Sequence, residues 1–269
     1  MIKLVAIDVD DTLLNSQGKL LESTKRTIKQ AVEQQVKVVL CSGRPLAGVK
    51  HFLQELNIVA DDQYVITFNG SVIESVTGKV LKKSGLSFTT ALEIEQYSQR
   101  HDVAFNFVDA NSRIITSNHH VGRITVVQAW ENSAGILVRA TKELSKDNQI
   151  IKAVFGDEQK KLDDIENDVI RQFGAENYVV RAADNFLEVM HKNVDKGAAL
   201  KFLTAKLGLV PSDVMVIGDE RNDIPMFNFA GTAVVMGNGS DLAKEHADYV
   251  TSSNDADGIE QAFNEFVFK

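Results

Sequence analysis

Near the N-terminus, Asp8-Val9-Asp10-Asp11-Thr12 sets two carboxylates one residue apart. Alternate side chains of an extended chain share a face, so Asp8 and Asp10 point one way and Val9 the other. Far along the chain, Gly218-Asp219-Glu220-Arg221-Asn222-Asp223 offers a second acidic cluster. Asp8, Asp10, Asp219 and Asp223 gathered at one place would repel, because two charges ~4 Å apart cost roughly 4 kcal/mol at an effective dielectric of ~20. A divalent cation relieves that repulsion. The donors are all oxygens, with neither His nor Cys in the set, and such a set suits Mg2+. Lys196 adds an ammonium, Ser42 a hydroxyl, and Gly43 a backbone N–H open to close approach. Together they form a receptacle for a transferring phosphoryl group.

Such distant residues meet only if the fold carries them to one place. Short apolar runs at 4–7, 36–40, 64–68, 214–217, 233–236 and, more weakly, 249–250 read as strands buried on both faces. Helical patterns lie between them. Residues 23–35 place Ile28, Ala31 and Val32 on one stripe. Residues 196–208 align Ala199, Leu200, Leu203 and Leu207, with Asp195 as N-cap and Gly208 as the stop. Shorter helices are expected at 224–230, 241–247 and 256–267. The alternation predicts an α/β fold with a doubly wound, Rossmann-like parallel sheet. Ligands of such sheets sit beyond the carboxyl ends of the strands, where every candidate residue falls.

The middle of the chain has another rhythm. A helix over 89–100, strands over 103–108 and 113–116, a polar stretch, a strand over 150–155, a charged helix over 157–172 and strands over 178–181 and 186–190 read as a separate α+β module. The expected division is a discontinuous core, 1–84 and 188–269, with an inserted domain at 85–187. A chain of 269 residues has room for about two domains.

Composition bounds the partners. The net charge is −8, and no Lys/Arg block appears, which disfavours nucleic acid and anionic membrane surfaces. The lone Cys41 forms no internal disulfide and no cysteine-rich zinc site. The apolar run before Asp8 is too short for a signal peptide, and none approaches the ~18 residues of a membrane helix. A soluble cytoplasmic protein is the expectation, and nothing specifies an oligomeric state.

On these motifs the sequence resembles the haloacid dehalogenase superfamily, and within it the Cof-type phosphatases with a large inserted cap of the IIB kind. Four family motifs match in order: Asp8-Val9-Asp10-Asp11-Thr12, Ser42, Lys196 and Gly218-Asp219-Glu220-Arg221-Asn222-Asp223. The stretches Ser42-Gly43-Arg44-Pro45 and Val234-Val235-Met236-Gly237-Asn238 also look Cof-like. The resemblance spans the core almost end to end and places the insert where IIB caps sit. It implies that Asp8 is the nucleophile that forms an aspartyl-phosphate, and that Asp10 is the general acid and then base. It implies Mg2+ on Asp8, the Asp10 carbonyl and Asp219, with Asp223 as ligand or support. It also implies that Ser42, Gly43, Lys196, Asn222 and the backbone at Val9 bind phosphoryl oxygens. A small phosphorylated metabolite is the implied substrate, taken under a cap that closes on hinges near 82–86 and 184–190. One departure is Asp11, where many members carry Gly.

Simpler roles stand beside these. Asp223 also suits an N-cap ahead of Pro225. Arg44 suits a substrate contact or a structural ion pair equally. Cys41, Trp130, Phe105 and Phe107 read as core residues, the 157–168 acids as a solvated helix face, and His119-His120 as surface or substrate-facing rather than metal-binding. Asp10 supplies the acid that ester cleavage needs, which disfavours dehalogenation. The rivals are a sugar phosphomutase of the same superfamily and a non-catalytic phosphate-binding or regulatory protein.

Overall fold

A computed structural model describes residues 1–145 and 149–269. It divides into two units, Met1–Lys82 with Asp195–Lys269, and Lys83–Val194.

In the first unit, β1 (Leu4–Asp8) is buried along its whole length. Its alternation serves two layers at once: Val5 and Ile7 enter one apolar cluster, Leu4 and Ala6 another. α1 (Glu22–Glu33) and β2 (Lys37–Cys41) follow, then α2 (Leu46–Glu55), β3 (Tyr64–Thr67), β4 (Val72–Ser75) and β5 (Val80–Lys83). β1 pairs in parallel with β2, and β2 with β3, whereas β4 runs antiparallel to β3.

In the second unit, α3 (Phe88–His101) leads to β6 (Phe105–Asp109), β7 (Ile114–Thr116), α4 (Arg123–Glu131) and β8 (Ile136–Val138). Then come β9 (Ile150–Phe155), α5 (Gln159–Phe173), β10 (Asn177–Ala183) and β11 (Phe186–His191).

The chain returns to the first unit with α6 (Lys196–Lys206), β12 (Val214–Gly218), α7 (Ile224–Phe227), β13 (Thr232–Val235), α8 (Asp241–Lys244), β14 (Tyr249–Val250) and α9 (Gly258–Phe266). The sheet order is β14-β13-β12-β1-β2-β3-β4-β5. Residues of α1, α2 and α9 (Ile28, Val49 and Phe263 among them) cover one face, and α6, α7 and α8 (Leu200, Met226, Ala243) the other. This is a doubly wound, Rossmann-like sheet. From β1 the chain winds outward through β2, and it comes back on the other side as β12, so the strand order reverses at β1. The central strands β1, β2, β3, β12 and β13 are largely buried because helices lie on both faces, which explains why they read as unbroken apolar runs.

The inserted unit has a six-stranded sheet in the order β10-β11-β9-β6-β7-β8. Its pairings are antiparallel except β7 with β8. Phe105, Phe107 and Phe155 pack on one face with Ile94 and Tyr97 of α3 and Leu162 and Val169 of α5. Asn106 points to the other face, where its amide donates to Gln128 Oε1 of α4 at 2.7 Å.

Three expectations change here. The exit from the insert, set at residue 188, falls inside β11, whose pairing with both β9 and β10 keeps it in the second unit until Val194. The polar stretch after 116 contains α4 and β8, while its residues 146–148 lie outside the described residues. Trp130, expected in the core, is 81% exposed on α4. Phe105 and Phe107 are buried as expected. No helix among the described residues is long and apolar enough to cross a membrane.

Candidate active site

β1 delivers Asp8 at its carboxyl end, only 6% exposed. The chain then leaves the sheet in one wide turn, Val9–Leu13. Within it Asp10 stays extended, and Asp11 takes the left-handed conformation at φ 57°. Asp is among the few side chains that accept this region, which glycine enters without cost, so the turn keeps its path despite the Asp. The amide of Asn238 donates to the Asp11 carbonyl at 2.8 Å and fixes the turn from β13's side of the sheet. Val9 is buried, and its carbonyl accepts Leu14 N–H at 3.0 Å, closing the turn.

Lys196 opens α6 with its side chain fully buried. A cation at a helix N-terminus is electrostatically unfavourable, and the compensation is local. Its Nζ donates to Asp8 Oδ1 and, at 2.7 Å, to Asp223 Oδ1. Asp195 caps the helix by accepting Ala198 N–H at 2.6 Å. Gly197 is required by packing, since a Cβ there would collide with the Pro225 carbonyl. Gly218 ends β12 for a similar reason: a Cβ would lie 2.6 Å from the Asp223 carboxylate. Asp223 Oδ2 accepts the N–H groups of Asp219 (3.0 Å) and Glu220 (3.2 Å). Asp223 therefore secures the loop before α7 and does not cap α7 with its side chain.

Asp8, Asp219 and Asp223 each place a carboxylate oxygen within 4.8 Å of the others. Asp10 lies outside this trio. Its carboxylate is gripped by Arg44, Nη2 to Oδ1 at 2.6 Å and Nε to Oδ2 at 3.1 Å. Arg44, whose place in the sequence suits a substrate contact and a structural ion pair equally, here pairs with Asp10. Asp219 also accepts the Thr12 hydroxyl at 2.9 Å. Ser42, fully buried at the end of β2, accepts Arg44 N–H at 3.0 Å on its hydroxyl oxygen. Gly43 follows it, with Asn69 so near that a Cβ would sit 3.2 Å from Asn69 Oδ1. Asn222 donates to that same Oδ1 at 3.3 Å.

Thr12, Asn69 and Asn238 belong to the site's framework and were not among the candidates. Thr12 lay in the first motif, and Asn238 in the stretch after β13. Asn69-Gly70 reads as an ordinary turn. The usable signal was its position at the carboxyl end of a buried strand, and its φ of 54° is the kind an Asn tolerates.

Electrostatics mark the trio. Burial pushes the Asp8 carboxyl well above the usual carboxylate range; Lys196 opposes this, and Asp223, Asp219 and Asp10 add to it. Asp219 is pushed up to about 7, first by burial and then by Asp223. Burial works against the Lys196 ammonium, but Asp223 and Asp8 outweigh it and hold the group protonated. Burial also pushes the Cys41 thiol up, as befits an unreactive core residue. Three clustered carboxylates thus share the one Lys196 ammonium, in an all-oxygen donor set. Those residues fit a hard divalent cation such as Mg2+.

In the insert, His119 and His120 line a cavity of about 320 Å3 with Asp157 and Lys161. They belong to no three-donor cluster among the described residues. In the 157–168 run, Asp157 accepts Ala104 N–H and Asp168 accepts the Tyr97 hydroxyl, both at 3.0 Å, and Asp163 pairs with Arg181.

Comparison with known proteins agrees with this geometry. The sequence profile of the haloacid dehalogenase-like hydrolases matches residues 5–263. YxeH of Bacillus subtilis (strain 168), named as a phosphatase, is 32% identical over 99% of each chain. The 5-amino-6-(5-phospho-D-ribitylamino)uracil phosphatase YcsE of the same organism is 30% identical over 99% of this chain and 96% of its own. A haloacid dehalogenase-like hydrolase of Bacteroides thetaiotaomicron, 26% identical, superposes with a TM-score of 0.88 over 98% of this chain and 99% of its own. This chain belongs to the haloacid dehalogenase-like hydrolases and is a phosphatase of the Cof type.

Proposed function

We propose that this protein hydrolyses small phosphorylated metabolites with Mg2+ through a phosphorylated Asp8. The supporting observation is the trio: a buried nucleophile candidate, Asp8, held by Lys196 in the company of Asp219 and Asp223. Asp8 and Asp219, with the Asp10 main-chain carbonyl, would hold the cation, and Asp223 would support them, since Lys196 and two N–H groups already occupy its oxygens. When bound, the ion neutralises charge on the phosphoryl oxygens and keeps the carboxylates ionised.

The protein's own groups supply the rest. Asp8 attacks phosphorus in line with the ester oxygen, and its carboxylate becomes a mixed anhydride as the P–O ester bond breaks. Asp10, once parted from the Arg44 guanidinium and protonated, hands its proton to the departing alcohol. It then takes a proton from the water that attacks phosphorus and frees Asp8. Lys196, the Ser42 hydroxyl, the N–H groups at Val9 and Gly43, and the Asn222 amide would surround the transferring oxygens. Positioning and charge stabilisation of this kind are most of what phosphoryl transfer asks of a protein.

The test is phosphate release from a panel of sugar phosphates, nucleotides and phosphorylated cofactors, with Mg2+ or with a chelator. Hydrolysis of at least one ester, lost with chelator and restored by Mg2+, is expected. Absence of release from every ester, or undiminished release by the Asp8→Asn variant, would contradict the proposal. A dependence on an added bisphosphate would point to a mutase.

A further inference from the structure

Beyond the end of β3 the chain turns through Phe68, Asn69 and Gly70 with three successive positive φ angles, 52°, 54° and 101°. Asn and Gly accept this region. A bulky residue does not, and the other non-glycine residues of positive φ among the described residues are all polar. Phe68 is therefore strained. Such strain persists only where the surroundings impose it, and it gathers at functional sites. Here the surroundings are identifiable. Phe68 is buried, and its N–H donates to the Arg44 carbonyl at 3.1 Å. The Asn69 N–H donates to the Ser42 carbonyl at 2.9 Å. On the opposite side a Cβ on Gly70 would collide with the carbonyl of Asp195, the residue before Lys196. The turn is wedged between the loop after β2 and the start of α6.

What this geometry achieves is the placement of one side chain. The buried Asn69 carboxamide lies against Gly43, and its Oδ1 accepts the amide of Asn222, 153 residues away, at 3.3 Å. A carboxamide nitrogen carries two hydrogens. With one of them on Asn69, the direction of the other is set. The acceptor also decides which end of the Asn222 carboxamide faces this way, since an oxygen turned toward Asn69 Oδ1 would repel it. We propose that Asn69 is a positioning residue, which aims the Asn222 amide at the oxygens of a bound phosphoryl group. The proposal rests on the reading of Asn222 as a phosphoryl-binding group and adds to it a residue that acts without touching the substrate.

The experiment titrates the full chain, with Mg2+, with inorganic phosphate in a calorimeter and records Tm for each variant. Asn69→Gly removes the amide and keeps the positive φ without cost. Asn69→Ala removes the same amide but adds the strain of a left-handed residue, so it should melt about 2–4 °C below Asn69→Gly. Both should bind phosphate about 10-fold more weakly than the wild type, and by the same factor. A loss that follows Tm instead, large in Asn69→Ala and absent in Asn69→Gly, is the mark of a purely structural residue and overturns the proposal. Asn222→Ala should also weaken binding about 10-fold, and adding Asn69→Gly to it should change affinity by less than about 2-fold. Losses that multiply to about 100-fold break the link between the two residues and overturn the proposal while leaving Asn222 its role. An Asn222→Ala variant with wild-type affinity overturns it at its premise, as does a wild type that binds no phosphate. The expected pattern of affinities supports the proposal even where no ester is hydrolysed, the result that would contradict the wider reading.

Discussion

Each unit of the protein buries a lysine against carboxylates, and the two surroundings differ in charge. In the inserted unit, Lys152 meets Glu188 at 2.5 Å across neighbouring strands, with both side chains 5% exposed. One ammonium faces one carboxylate at that contact. In the core unit, Lys196 bonds Asp8 and Asp223, and Asp219 belongs to the same cluster. There three acids share one ammonium, and burial first, then the neighbouring acids, push Asp8 and Asp219 up, the latter to about 7. A matched buried pair is a structural feature whose net value is small, because desolvation offsets attraction. An unmatched cluster is held at a cost that only an added positive charge relieves. Burial alone does not separate the two; the balance of charge does.

Removing the core lysine should have the largest effect. Lys196→Met leaves Asp8 and Asp223 buried against each other without an ammonium. Urea unfolding is expected to show a loss of about 3–5 kcal/mol, with phosphatase turnover down by about 1,000-fold. Lys152→Met should cost a similar stability in the inserted unit. There, however, Lys152→Met combined with Glu188→Leu should recover most of the loss, because an apolar pair replaces an ionic one. If the double variant stays as unstable as the single, the pair is more than a matched contact and the comparison weakens.

The cation gives the next largest effect. Mg2+ at about 100 times its Kd should stabilise the protein by about 2.7 kcal/mol, read as a rise in Tm. Asp219→Asn should remove most of that rise, and Glu188→Gln should leave it intact. The smallest effect concerns Glu74, a buried acid whose hydroxyl donor is Thr67 at 3.2 Å. Burial raises its carboxyl above 4.5, with the Thr67 bond opposing. Between 4.5 and that raised value the folded chain keeps a proton that the unfolded chain has lost, so stability falls as pH rises through this window. Glu74→Gln should raise Tm modestly at pH 7, and the gain should shrink as pH falls toward 4.5 and vanish well below it, where Glu74 is neutral in both states.

Much of the core was legible in the sequence because its strands are buried on both faces and end in polar residues. Leu4 to Asp8 shows the pattern: four apolar side chains feeding two layers, then a carboxylate at the strand's end. Lys196 was legible as a cation at an unfavourable place, the start of a helix. The internal ranking of the site was not. Alternation alone paired Asp8 with Asp10, whereas the fold pairs Asp8 with Lys196 and hands Asp10 to Arg44, a choice made by the turn through Asp11. The inserted unit was less legible where apolar residues face outward. Trp130 carries the composition of a core residue, but its helix buries Gln128 and Thr125 in its stead, to satisfy Asn106 on the sheet. Helix α2 was passed over although Val49, Phe52 and Leu53 repeat at helical spacing, and β8 is only three residues long.

The central claim is that Asp8, set in an acid-rich cluster, takes the phosphoryl group. The most direct measurement is rapid acid quenching during turnover of a substrate found in the panel, followed by peptide mass analysis. A phosphoryl group on the peptide containing Asp8, present with Mg2+ and absent from Asp8→Asn, is the predicted result. Steady phosphate release with no phosphoryl group at Asp8 at any quench time, or with the group on another residue, would contradict it.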